Sequence, residues 1–205
     1  MHKNTANSPT TIYPVVLKVP EEKEALKGRE KVRFLSEFAR AALRRSAGRL
    51  GVDLPKLEKE ENGAPVPAGG IYWSLSHKSR YVAAVAAPKP VGIDIEQIRP
   101  VKEGLDQRIA GPGEWNLFPG DRRVAFFRCW TAKEAVLKAE GVGIVGLSDC
   151  RIVSVDAPDR LSAVYREATW TVDFRFEDEH LTAVAGNGLN LSWICRGEDD
   201  DRPTS

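Results

Sequence analysis

Two helix-patterned stretches, each followed by a cluster of short strand-like runs, restrict this chain's fold more than any other feature. From Lys27 to Arg49, Phe34, Leu35, Phe38, Ala42 and Leu43 recur at roughly helical spacing, and Gly48 and Gly51 end the stretch. A second helix is predicted over Arg122–Glu140, stopped by Gly141 and Gly143. Between them lie IYWSLS (71–76), YVAAVAA (81–87) and VGIDIEQI (91–98), separated by HKSR and by the Pro88–Pro90 break. Those short connections predict an antiparallel meander. Further strands are expected at Ile12–Val19, Arg151–Val155, Thr169–Phe176, Leu181–Ala185 and Leu189–Ile194. Grouping of this kind favours an α+β architecture over alternating βαβ units.

At 205 residues the chain suits one domain or two small intimate ones. A net charge of +1 supports neither a nucleic-acid nor a membrane partner, and no apolar run approaches the ~20 residues that span a bilayer. The start, MHKNTANSPT, lacks the apolar stretch of a signal peptide. Cys129, Cys150 and Cys195 are far apart and form no C-x-x-C, which disfavours a zinc ribbon or dithiol centre and fits reduced thiols. A cytoplasmic location follows as an expectation. The boundaries expected are disordered tails at 1–10 and 197–205, an N-terminal lobe over 11–89 and a C-terminal lobe over 90–196.

In VGIDIE the alternation of a strand puts Asp94 and Glu96 on one face and Ile93 and Ile95 on the other. Neighbouring carboxylates repel unless solvated or neutralised, and a hard divalent cation neutralises them with oxygen ligands. A solvent-facing sheet edge accounts for the same pattern. On the second helix, Phe126, Cys129, Trp130, Val136 and Leu137 gather into an apolar stripe that contains Lys133. An ammonium there either snorkels to the rim or reaches an anion. Glu134 and Lys138, one turn apart, fit an ordinary helix-surface ion pair, or a carboxylate completing a metal site beside phosphate-directed lysines.

Gly92-Ile93-Asp94-Ile95-Glu96 resembles the G-x-D-x-E signature of the 4′-phosphopantetheinyl transferase superfamily, and Trp130-Thr131-Ala132-Lys133-Glu134-Ala135-Val136-Leu137-Lys138 resembles its W-x-x-K-E-A-x-x-K signature. Their order and separation suit that family. Upstream, Leu75-Ser76-His77 resembles the S-H segment of the longer Sfp-type enzymes, Asn62-Gly63-Ala64-Pro65 their G-K-P loop, and Arg33-Phe34-Leu35 their R-x-L helix entry. The likeness covers roughly residues 29–145. It departs where the loop lysine is Ala64, with Lys59 the neighbouring candidate to substitute.

The resemblance implies a pseudo-dimer of two similar lobes, each a helix on a small antiparallel sheet, working as a monomer with its site in the cleft between lobes. It implies transfer of 4′-phosphopantetheine from coenzyme A to a serine of an acyl or peptidyl carrier protein, releasing 3′,5′-adenosine bisphosphate. Asp94, Glu96 and Glu134 would hold Mg²⁺, with Mn²⁺ the alternative ion. Glu134 would serve as base, directly or through a metal-bound water, and Lys138 and Lys133 would stabilise developing charge. Ser76 and His77 would meet coenzyme A phosphates. The basic run of the first helix fits an ordinary solvated face; read functionally, Arg29, Lys31 and Arg33 would meet coenzyme A phosphates and its later arginines the acidic helix of the carrier. Two other readings are weighed: a Mg²⁺-dependent hydrolase of a coenzyme A or nucleotide pyrophosphate, and a non-catalytic module that binds carrier or coenzyme A. Without a G-x-x-x-x-G-K-[ST] or G-x-S-x-G element, a P-loop enzyme and a serine hydrolase are disfavoured.

Overall fold

A computed structural model of the chain describes residues 9–54 and 56–195. Its elements run β1 (Thr10–Ile12), β2 (Val15–Lys18), α1 (Glu21–Glu24), α2 (Gly28–Arg49), β3 (Tyr72–His77), β4 (Tyr81–Ala87), β5 (Val91–Gln97), α3 (Asp106–Ile109), α4 (Pro112–Trp115) and α5 (Arg122–Glu140). After a 3₁₀ turn at Gly143–Asp149 come β6 (Cys150–Ala157), β7 (Arg160–Tyr165), β8 (Ala168–Glu177), β9 (His180–Gly186), β10 (Leu189–Leu191) and β11 (Ile194–Cys195). The class is α+β, with two helix-on-sheet halves. Helix α2 covers a four-stranded sheet in the order β11-β2-β4-β3, and α5 covers a five-stranded antiparallel sheet in the order β5-β9-β8-β7-β6.

Three apolar cores account for the packing. Leu35, Ala39, Ala42 and Leu43 of α2 meet Val15, Trp73, Val82 and Ala84 of the first sheet. Phe126, Cys129, Ala132 and Val136 of α5 meet Leu161, Val172, Phe174 and Ala183 of the second. A third core lies where the sheets meet, with Val16, Ala83 and Val85 against Ile93, Ile95 and Val184. Strand β4 is buried on both faces, which is why its sequence is an unbroken apolar run. Asp121 caps α5 by accepting N–H bonds from Arg123 and Val124, and Gly141 closes it in the left-handed region at φ 69°.

Four details depart from the sequence expectations. The predicted meander stops after β4: β3 and β4 pair, but β5 crosses to the other sheet and pairs with β9 from Val91↔Gly186 to Gln97↔His180. Pro88 and Pro90 lack N–H donors for a continuing ladder. The strand expected over Ile12–Val19 is two, β1 and β2, flanking Tyr13 and Pro14. Leu189–Ile194 divides likewise: β10 pairs in parallel with β1 as a separate two-stranded sheet, and β11 pairs in parallel with β2 and so joins the first sheet. Strand β7 was not anticipated, although the Leu161, Ala163, Tyr165 alternation that buries it is visible in the sequence. Of the tails expected to be disordered, residues 1–8 and 197–205 lie outside the described residues, while Thr10 begins β1.

Candidate active site

Because β5 is the edge of the second sheet and β3 the edge of the first, their side chains can meet across the junction. Ile93 N–H donates to Ser74 Oγ at 3.1 Å, and Ser76 Oγ donates to Asp94 Oδ1 at 2.8 Å. Strand alternation holds as expected: Ile93 and Ile95 enter the sheet–sheet core, while Asp94 and Glu96 face α5. Neither carboxylate lies on a solvent-facing edge, since Asp94 is 4% exposed and Glu96 8%.

Helix α5 brings Trp130, Glu134 and Lys138 to these carboxylates, one helical turn apart. Lys138 Nζ lies 2.7 Å from Asp94 Oδ1 and donates to the Ile93 carbonyl at 3.2 Å. It therefore turns to the strand and not to Glu134, one turn earlier on its own helix. The Trp130 indole donates to Glu96 Oε1 at 3.0 Å, and Lys78 Nζ lies 2.8 Å from the same oxygen. Burial, followed by the negative charges of Asp94 and then Glu96, holds the Glu134 carboxyl above the usual carboxylate range. The three carboxylates thus share one electrostatic site.

Their donor chemistry suits a hard cation, and the buried Asp94 Oδ2 has no hydrogen-bond partner. As the side chains stand, no three His, Cys, Asp or Glu groups among the described residues are gathered to hold an ion. One oxygen each of Asp94 and Glu96 is instead occupied by a lysine.

The remaining expected residues divide. Ser76 is buried on Asp94, so in this arrangement it positions a carboxylate. His77 is half-buried; desolvation, then the ammonium charges of Lys138 and Lys78, push its imidazole below the usual value. Lys59 also acts on His77, which brings the lysine suggested as a substitute for Ala64 into the site's electrostatic range. Asn62 carries the loop to the end of α5: its Nδ2 donates to the Gly141 carbonyl at 3.0 Å, and its Oδ1 accepts from Ala64 N–H at 2.9 Å. A cavity of about 280 Å³ lies there, lined by Asn62, Ala64, Pro65, Tyr72, Lys138 and Gly141.

Lys133 does not join this group. It is 1% exposed, with Nζ 2.8 Å from Glu114 Oε1 and donating to the Ile109 carbonyl at 2.8 Å, so it reaches an anion supplied by the chain itself. Arg29 and Arg33 line a separate groove along α2 with Ser36 and Arg40, and Lys31 donates to the Glu24 carbonyl. Sequence reasoning missed Lys78 and the role of the Trp130 indole. Lys78 sits in the HKSR turn, where only its position directly after Ser76-His77 hinted at nearness to the carboxylates.

Comparison with known proteins places these observations in a family context. Residues 90–188, which contain β5 and α5, match the family model of the 4′-phosphopantetheinyl transferase superfamily. The chain is 32% identical over 158 residues to the 4′-phosphopantetheinyl transferase HetI of a Nostoc species, covering 69% of this chain and 66% of that protein. It is 38% identical over 98 residues to the 4′-phosphopantetheinyl transferase psf-1 of Bacillus pumilus, covering 44% and 42% of the two chains. With the 4′-phosphopantetheinyl transferase Sfp of Bacillus subtilis it shares 30% over 114 residues, half of each chain. The aligned stretches thus span from about two fifths to just under two thirds of these relatives' lengths. Among the described residues no helix is long and apolar enough to cross a membrane.

Proposed function

Since this chain belongs to the 4′-phosphopantetheinyl transferase superfamily, we propose that it transfers 4′-phosphopantetheine from coenzyme A to a serine of an acyl or peptidyl carrier protein. The observation that carries this reading is the meeting of the two signature segments: the buried Asp94 of β5, with one oxygen unpartnered, lies against Lys138 of α5 and is electrostatically coupled to Glu134.

Asp94, Glu96 and Glu134 would hold Mg²⁺, or Mn²⁺ in its place. The bound ion would polarise the phosphorus centre and neutralise charge as the phosphoanhydride breaks. Ser76 and the Trp130 indole orient Asp94 and Glu96 through bonds already formed. Glu134 receives the proton of the acceptor hydroxyl, directly or through a water. Lys138 stabilises negative charge on the departing 3′,5′-adenosine bisphosphate. His77, whose imidazole burial and the nearby lysines push below its usual value, would offer the coenzyme a hydrogen bond.

The cavity between the Asn62–Pro65 loop and the end of α5 is where coenzyme A would enter, with Lys59 supplying charge that Ala64 lacks. Arg29, Lys31 and Arg33 would extend the phosphate contacts, and the later arginines of α2 would steer the acidic helix of the carrier. Lys133 is assigned to holding the α3–α4 segment and not to the coenzyme, because Glu114 and Ile109 use its ammonium. The working unit is a cytoplasmic monomer of the Sfp type. Its lobes span 11–89 and 90–196; strand β11 of the second returns to the first sheet, and β10 pairs with β1.

Intact mass spectrometry of an apo carrier incubated with the protein, coenzyme A and Mg²⁺ tests the reading. A phosphopantetheine mass gain, abolished by EDTA and by Asp94→Ala, is the expected result. Coenzyme A cleaved without carrier labelling would replace the transferase with a hydrolase. An intact coenzyme and no gain on fatty-acid, polyketide or peptide carriers would leave a binding module.

A further inference from the structure

Lys78 lies outside both signature segments, yet it supplies one of the two ion pairs at the carboxylates. The backbone of its turn is tied by Lys78 N–H to the Tyr81 carbonyl at 2.8 Å, while its side chain stays 39% exposed. Only the ammonium is engaged, on Glu96 Oε1, which also accepts the neutral Trp130 indole. Asp94 shows the same pattern, with Ser76 and Lys138 both on Oδ1 and Oδ2 left without a partner.

Resting on the transferase reading, we propose that Lys78 is a built-in counter-ion for Glu96. It yields to the divalent cation only when an anionic diphosphate arrives to receive the released ammonium. Formal charge carries the argument. Asp94, Glu96 and Glu134 against Lys78 and Lys138 leave a net of minus one. A divalent ion entering alone would turn the site net positive, with two ammonium groups in contact with its ligands. That is unfavourable at short range wherever solvent screening is reduced. A diphosphate restores the balance and gives both lysines a partner. Lys78 is the less tightly held of the two, because Lys138 also donates to the Ile93 carbonyl and is less exposed. When Lys78 departs, the Trp130 indole still orients Glu96. Cation and coenzyme A are then mutually dependent ligands, each raising the other's affinity by the same factor.

Mn²⁺ binding, followed by the electron paramagnetic resonance of the free ion with and without saturating coenzyme A, reads this directly. The wild-type protein is expected to bind Mn²⁺ at least about tenfold tighter with coenzyme A, a coupling of about 1.4 kcal/mol. Lys78→Met should bind Mn²⁺ alone several-fold tighter than wild type and gain less from coenzyme A. Lys78→Arg, which keeps the charge, should retain the coupling. If Lys78→Met binds Mn²⁺ alone no more tightly, or its gain from coenzyme A is unchanged, the counter-ion role is wrong. Carrier labelling by wild type separates the two readings. Labelling without coupling overturns only this inference, whereas no binding of either Mn²⁺ or coenzyme A overturns both.

Discussion

Gly92 opens the first signature segment, and its lack of a side chain is what lets β5 approach α5. A Cβ placed there would lie 1.9 Å from the Ala135 carbonyl oxygen, 2.6 Å from Ala139 N and 3.0 Å from the Ala135 carbonyl carbon. All three are helix backbone, so no rotamer change can relieve the overlap. Restoring ordinary contact near 3.5 Å requires strand and helix to part by roughly 1.5 Å. Gly92→Ala therefore belongs at the upper end of overpacking costs, about 3 kcal/mol. For a chain of this size that lowers Tm by roughly 6–12 °C. The same separation would draw Asp94, two residues along β5, away from Lys138, now 2.7 Å distant, so carrier labelling should fall even in the folded fraction. Urea unfolding checks the stability term, as a lower midpoint at unchanged slope. Gly146→Ala is the control, because its Cβ would meet the Leu137 and Tyr165 side chains, which can shift. Its loss should be smaller. A Gly92→Ala protein within about 0.5 kcal/mol of wild type would refute the close-approach argument.

Glu134→Gln should abolish carrier labelling and yet stabilise the metal-free protein at about pH 8. Glu134's folded pKa is raised, so its contribution is full below the unfolded carboxyl value near ~4.3 and is lost as pH rises through the folded one. The variant's Tm advantage should therefore shrink as the pH is lowered to about 4, and a constant or reversed difference would refute the sign. Lys133→Met, which removes the ammonium from the partly buried Glu114 but leaves it the Gly111 and Ile152 N–H donors, should cost about 3 kcal/mol in urea unfolding, and adding Glu114→Gln should recover most of it. Burial pushes the Cys129 and Cys150 thiols up to about 12, so neither should react with a disulfide reagent at about pH 8 until the protein is unfolded. Rapid labelling of either in the native state would contradict their burial.

Much of the site could be read along the chain, because local pattern sets where a side chain points relative to its own backbone. Alternation in β5 was enough to put Asp94 and Glu96 on one side, and helical spacing put Glu134 and Lys138 one turn apart. Helix α5 could be bounded from the Arg122–Glu140 pattern and Gly141, whose left-handed conformation ends it. Partners were another matter. The VGIDIEQ run is equally suited to β4 and to β9. Its pairing with β9, far along the chain, was decided by which face the finished core had to cover. Only that choice brought β5 against α5 and β3, gave Lys138 to Asp94, and set Lys78 on Glu96. Lys133 shows the same division: its place within an apolar stripe is plain from the spacing, but the anion it meets comes from Glu114, on a loop helix with no periodic signal. The sequence by itself determined the two long helices, most of the longer strands, their apolar faces and the residue types of the site. The tertiary structure decided which charges neutralise one another, because long-range pairing is selected by the whole core and not by any one segment.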